Sequence, residues 1–312
     1  MKKKIILPSI IILLLGLFFS FKLANQITAG AHIQDERKII LQTAMALIQE
    51  GHFSPKTIDD AFSLAVFEET IKNLDYDKKF FIASDYDRLK EVYGTKIDDE
   101  LKNNQLDFFD DINELFVQRV DEAKDIYPEV LSKPFDFTIK EEVELDGDKL
   151  EFVSDKEALK ERWRKNMKYR TLLKYMDLKE ENEEKMRDSA DYVAKTDIEL
   201  EKEARETILK IQDRYFKRLQ KLNDNDRFSL FVNSVLSIED PHTGYMPPED
   251  KKRFEEMMSG TFIGIGASLL QGDDGKITVG SIIVGSPSWK QGKLKEEDEI
   301  LRVAQGEESP VD

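Results

Sequence analysis

The 312-residue chain contains no cysteine, which excludes disulfides, thiolate nucleophiles and cysteine-ligated metal. Its three histidines, His32, His52 and His242, are few and far apart, a poor donor set for zinc. A calcium loop fails as well. Asp146 and Asp148 occupy the first and third positions of such a loop, but Leu150 stands fifth, where an oxygen ligand is needed. No metal or other cofactor is therefore expected. Basic excess is also lacking: 47 Lys and Arg face 63 Asp and Glu, a net charge of −16, which argues against a nucleic-acid partner. There is no Gly-x-Ser-x-Gly and no Ser-x-x-Lys, so the chain presents no nucleophile–base motif.

What is present begins with a targeting pattern. Lys2-Lys3-Lys4 precedes an almost unbroken apolar run from Ile5 to Phe21, and small residues follow at Ala24, Ala29, Gly30 and Ala31. This is the layout of a secretory signal peptide or an uncleaved signal anchor, assigned to residues 1–31. The run is at the short end of what crosses a bilayer. The expected location is therefore exported: periplasmic, or anchored in the inner membrane through residues 5–21 and facing the periplasm.

The next two hundred residues carry a helical period. Ile39, Ile40, Ala44, Leu47 and Ile48 form a stripe ended by Gly51. Ser54-Pro55 predicts the next helix start, with serine as cap, proline at the first helical position and Ile58, Ala61, Phe62, Ala65 and Val66 facing inward. Asp85 predicts a cap for a short helix through Tyr93, and Gln105 to Ile126 a longer one with Phe109, Ile112, Leu115, Phe116 and Val120 inside. The alternation Phe135-Asp136-Phe137-Thr138-Ile139 and the Asp146-Gly147 turn predict two short extended runs between Pro134 and Val153. Helices then resume over 155–175, 197–222 and 228–238, and the charged stretch 179–187 reads as a solvated helix surface or a linker.

The motif Asp240-Pro241-His242-Thr243-Gly244-Tyr245 reads as a turn, with the His242 imidazole bonding backbone. Beyond a short helical stretch, the period changes to 2 from Phe262. Asp273-Asp274-Gly275 is a hairpin signal, residues 277–284 and 298–303 read as strands, and 287–294 as a short helix. Thr261-Phe262-Ile263-Gly264-Ile265-Gly266 has the chemistry of a PDZ carboxylate-binding loop: glycine lets backbone N–H groups converge, and flanking hydrophobes build a pocket for an apolar C-terminal side chain. The candidate carboxylate-binding residues are Ile263, Gly264 and Ile265; the candidate pocket residues are Phe262, Ile265 and Leu269. The fold class expected is a mainly α N-terminal domain, 32–245, followed by a partial α+β PDZ-like domain, 246–312.

The order of these motifs, with Gly285-Ser286-Pro287-Ser288 and Asp298-Glu299-Ile300, resembles the tail-specific, or C-terminal processing, proteases of bacteria. Leu74-Asp75 to Phe80-Phe81, Arg162-Trp163-Arg164, Tyr169 and Leu172-Leu173 resemble that family's helical N-terminal domain. The resemblance covers about residues 35–312 and departs locally at Glu297-Asp298, where the family has glycine-aspartate. It implies an exported serine-type endopeptidase that takes proteins by apolar C-terminal tails, with its catalytic serine and lysine in a domain following the PDZ domain. On that reading the chain is an N-terminal, substrate-recognising fragment, truncated before the last PDZ helix and strand and without catalytic residues of its own. Ser286 and Lys290 are placed on a turn and helix start, not in a catalytic pair. The partners implied are C-terminal tails of unfolded or exported proteins, and an adaptor or the missing catalytic segment. The alternatives are a non-catalytic periplasmic PDZ-type peptide-binding or adaptor protein, or a structural helical envelope protein.

Overall fold

The computed structural model describes residues 36–189, 191–259, 264–272 and 276–304; the expected signal segment lies outside them. The protein is mainly helical with a small antiparallel sheet. Helix α1 is described over 36–51, followed by α2 (Asp60–Leu74), α3 (Ala83–Tyr93), α4 (Ile97–Asn103), α5 (Asp107–Leu131), α6 (Lys156–Asp188), α7 (Asp197–Lys221), α8 (Asp224–Glu239) and α9 (Pro248–Met258). Strands β1 (Ala267–Gln271) and β2 (Ile277–Ile282) and a short helix, α10 (Pro287–Gln291), complete the order. Among the described residues no helix is long and apolar enough to cross a membrane.

The chain forms two compact units, each assembled from separated segments. Of the described residues, the first takes those within 36–73, 88–113 and 230–245; the second takes those within 74–87, 114–229 and 246–304. The first unit packs around aromatic rings. Phe108 lies 5.7 Å from Phe67 and 5.9 Å from Phe231, and Phe109 stacks on Phe231 at 5.7 Å. Burying rings of this size contributes about 1.5–3 kcal/mol each. Polar pairs fix the helix ends. The Ser63 hydroxyl donates to Asp98 at 2.7 Å while the Asp98 N–H returns a bond to Ser63 at 2.8 Å. Glu100 accepts the Phe108 N–H at 3.0 Å and so satisfies one free donor at the start of α5.

The second unit centres on the segment that interrupts the helical period after α2. Asp75 is buried and accepts three backbone N–H groups, from Lys79 (2.8 Å), Phe80 (2.9 Å) and Phe81 (2.9 Å). This local cage turns the chain so that Phe80 and Phe81 enter the core together. Phe80 meets Phe116, Trp163 and Phe216, and the Trp163 indole N–H donates to the Lys79 carbonyl at 2.8 Å. Arg119 grips Asp85 with two bonds of 2.8 Å. Between α6 and α7, the Asn182 side chain accepts from the Lys195 N–H and the Tyr192 hydroxyl.

Several local expectations are corrected. The buried stripe of α1 is Leu41, Met45 and Ile48, while Ile39 and Leu47 point to water. Helix α2 begins at Asp60 with Asp59 accepting the Phe62 N–H, so Ser54-Pro55 is not its start. Asp85 lies inside the first turn of α3 and reaches back to the Ile82 N–H. Helix α4 was not anticipated, and residues 179–187 are continuous helix. No strand forms between 134 and 153. That segment is an irregular strap whose carbonyls are taken by side chains: Lys168 bonds Ile139, Lys78 bonds Gly147 and Leu150, and Arg162 bonds Glu151.

Candidate functional site

The Asp240 motif is a turn built by a carboxylate. Asp240 accepts the backbone N–H groups of His242 (2.6 Å) and Thr243 (3.1 Å) and the Thr243 hydroxyl. It also pairs with His52 Nε2 at 2.9 Å, a partner 188 residues away that the sequence reading did not connect to it. The Ser54 N–H points at His52 Nδ1, at 3.3 Å, so the ring proton sits on Nε2 and is donated to Asp240. The Thr243 hydroxyl, then the His242 N–H, hold the Asp240 carboxyl far below the ordinary range. Every polar atom of this pair is engaged, so the arrangement is an anchor. His242 contributes its backbone N–H and is exposed. The Asn233 amide then fixes Tyr245, accepting its N–H at 2.7 Å and donating to its carbonyl at 3.0 Å.

Helix α9 follows, with no buried residue. Of the expected peptide site, Phe262 and Ile263 lie outside the described residues. Gly264 sits at an exposed bend, and Ile265 and Leu269 are about half exposed. The chain here is braced by the start of α10. The Ile265 carbonyl accepts the Ser288 N–H at 3.0 Å, and the Gly266 carbonyl accepts the Ile283 N–H at 2.8 Å and the Ser286 hydroxyl at 3.2 Å. Gly266 has φ +76°, and a Cβ on it would stand 2.0 Å from the Ser286 Cβ. Only glycine fits there. Ser286 also caps α10 by accepting the Trp289 N–H at 3.2 Å, so its hydroxyl is committed to structure.

Strand β1 pairs antiparallel with β2 from Ala267↔Ile282 to Gln271↔Ile277, with a bulge between Ser268 and Leu269. The expected hairpin closes: the Gly272 N–H donates to the Lys276 carbonyl at 2.9 Å, with the turn residues outside the described set. The segment expected as a strand at 298–303 is reduced to bonds along β2, from the Val279 N–H to Asp298 and from the Ile300 N–H to Ile277. So β2 has neighbours on both sides, while β1 has one strand neighbour among the described residues. Among the described residues no strand lies along its other edge, beside the exposed Leu269 and Leu270. Chemically a free strand edge can accept one more extended strand.

The family model described as the tail specific protease N-terminal domain matches residues 44–249. A tail-specific protease of Haemophilus influenzae is 27% identical over 277 residues, covering 88% of this chain and 36% of that protein. The carboxy-terminal processing protease CtpA of Bacillus subtilis is 38% identical over 85 residues, 27% of this chain and 18% of its own. A probable CtpA-like serine protease of Staphylococcus epidermidis is 34% identical over 109 residues, 33% of this chain and 22% of its own. The chain thus spans about a third, or less, of the length of these relatives.

Proposed function

The chain belongs to the tail-specific protease family, and from that premise we propose that it is the substrate-recognising part of an exported serine-type endopeptidase that takes proteins by apolar C-terminal tails. The open edge of β1 supports this reading most directly. A client tail would add a strand there, its backbone bonds giving affinity without sequence selectivity. Its carboxylate would meet the N–H groups of Ile263, Gly264 and Ile265 in a PDZ-type loop, each such bond contributing roughly 1.5–3 kcal/mol. Its last side chain would rest among Phe262, Ile265 and Leu269. Titrating a free-acid peptide with an apolar C-terminus and its C-terminal amide tests the reading. The acid should bind at least tenfold more tightly; equal affinities rule out carboxylate capture.

Export is part of the proposal and rests on Lys2–Lys4 and Ile5–Phe21. Residues 1–40 fused to a reporter active only outside the cytoplasm should light it up, and a silent reporter sinks the assignment. The commitment of the Ser286 hydroxyl to Gly266 and Trp289 favours a second reading for this stretch of chain, holding clients without cutting them. Cleavage of an unfolded, apolar-tailed substrate that disappears on Ser286→Ala would overturn it.

A further inference from the structure

A second opening lies within the 74–87 and 114–229 parts of the second unit, well separated in sequence from the β1 edge. It has a volume of about 320 Å3 and lies between the Asp77–Lys79 loop, the first turns of α6 and the strap 142–153. That size is at the low end for small-ligand sites. Its apolar lining includes Leu150, Val153, Ala158, Trp163 and Met167. The strap is pinned on both sides of its mouth. Glu141 is gripped by Arg164 and Lys168, and beyond residue 145 the chain is held by Lys78, Arg162 and the stack of Phe152 on Tyr86 at 5.0 Å. Residues 142–145 between these anchors carry Leu145, which is 53% exposed.

The charges are unbalanced once their partners are counted. Among the lining acids, Asp77 is taken by Lys79 (2.9 Å), Glu161 by Arg164 (2.7 Å), and Glu144 by the N–H groups of Leu145 and Asp146. Backbone N–H groups do not cancel the Glu144 charge, so Glu142 and Glu144 face the three cations Arg162, Lys165 and Arg170. The Arg162 guanidinium donates to the carbonyls of Lys78 (2.7 Å) and Glu151 (2.6 Å) and pairs with no carboxylate among the described residues. Arg170 donates to the Asn166 amide at 2.8 Å, and Lys165 lines the opening nearby. Burial pulls Arg162 below its ordinary value, and the charge of Asp75 opposes this. A half-buried guanidinium with unused N–H groups is a strong, directional carboxylate receptor.

We propose that this opening binds a small apolar carboxylate, its tail among Leu150, Trp163 and Met167 and its charge on Arg162 and Arg170. Two sources share that chemistry: a medium-chain fatty acid, and the apolar C-terminal end of a short peptide. Trp163 makes binding visible, because Trp289 is the only other tryptophan in the sequence. The full chain carrying Trp289→Phe is titrated, below micelle-forming concentrations, with decanoate, 1-decanol and N-acetyl-leucyl-alanine, following Trp163 emission. A saturable change with decanoate or the acetylated dipeptide is expected, at least tenfold tighter than any change with decanol. The tighter of the two carboxylates identifies the source. Ala158→Phe, which fills the opening, should abolish the change, and Arg170→Glu, on the exposed side of α6, should weaken it about tenfold with the far-ultraviolet dichroism unaltered. No saturable change with either carboxylate, equal affinity for decanol, or undiminished binding by Arg170→Glu overturns the proposal.

Discussion

Phe67, Phe80, Phe81, Phe108 and Phe216 in the helical units are each no more than 2% exposed. From Gly264 to Ala304, Val279 is the one large apolar side chain buried to that degree among the described residues, while Leu269, Leu270, Val284, Trp289, Leu301 and Val303 are between 49% and 78% exposed. Both regions have ordered backbone hydrogen bonds. They differ in what the apolar side chains do. In the helical units hydrophobic burial supplies the stability, and polar pairs such as Ser63–Asp98 place helix ends. In the hairpin the backbone ladder, the Gly266–Ser286 contact and the α10 cap set the geometry, and the side chains remain available. A two-stranded ladder by itself is marginal in water, so this region gains stability from whatever covers it.

The largest expected effect lies in the helical core. Phe80→Ala removes a ring shared with Phe116, Trp163 and Phe216 and should cost about 3–5 kcal/mol in denaturant unfolding. Leu270→Ala in the hairpin should cost less than about 0.5 kcal/mol, since its side chain is already in water. Equal costs would erase the distinction. Hydrogen exchange should show the same contrast: amides of β1 and β2 should exchange about 100-fold faster than those of α2 and α5 buried in the first unit, because local opening of the hairpin exposes little apolar surface. A saturating apolar-tailed peptide should narrow that gap.

Gly266→Ala places a side chain at φ +76° and against Ser286. It should abolish peptide binding and leave the main thermal transition within 2 °C of the parent, about the shift expected for less than 1 kcal/mol. A lowered main transition would mean that the hairpin and the helices are one cooperative unit. A further contrast is a pH dependence that belongs to the helices. Burial, with some help from Asp107 and Asp110, pushes Glu100 up to about 7 against the opposing Phe108 N–H. The folded state therefore holds its proton above the unfolded value of about 4.5, and stability should fall as pH rises from about 4.5 to about 7. The loss should be about 1–2 kcal/mol once solvent screening is allowed for. Glu100→Gln should flatten this slope. An unchanged slope would reassign it to another group.

Most of the helical plan was legible because long amphipathic runs carry their own period. Phe109, Ile112, Leu115, Phe116 and Val120 are all buried on α5 as the 3.6 spacing requires. Misreadings arose where a local pattern lacks its partner. Phe135 to Ile139 alternates like a strand, yet among the described residues no second strand pairs with it, and long cationic side chains satisfy its surroundings instead. Helix α4 is only seven residues long, too short to repeat a period, and its burial of Asp98 and Glu100 depends on Ser63 and on the start of α5. At the candidate site, Gly264 drew notice through its flanking isoleucines. The glycine with a demonstrable steric need is Gly266, and that need comes from Ser286, twenty residues later. The bond from His52 to Asp240 is likewise invisible to any local reading.

The interleaving of the two helical units has a consequence for synthesis. Phe109 cannot stack on Phe231, nor His52 reach Asp240, until α8 has left the ribosome. At about 5–20 residues per second, the 122 residues from Phe109 to Phe231 take roughly 6–25 s to make. For that interval α2, α4 and the start of α5 present an unfinished aromatic cluster to any chaperone or translocase within reach. A nascent chain halted near residue 220 should therefore be cut readily by protease in 36–113, and one halted past residue 290 should resist.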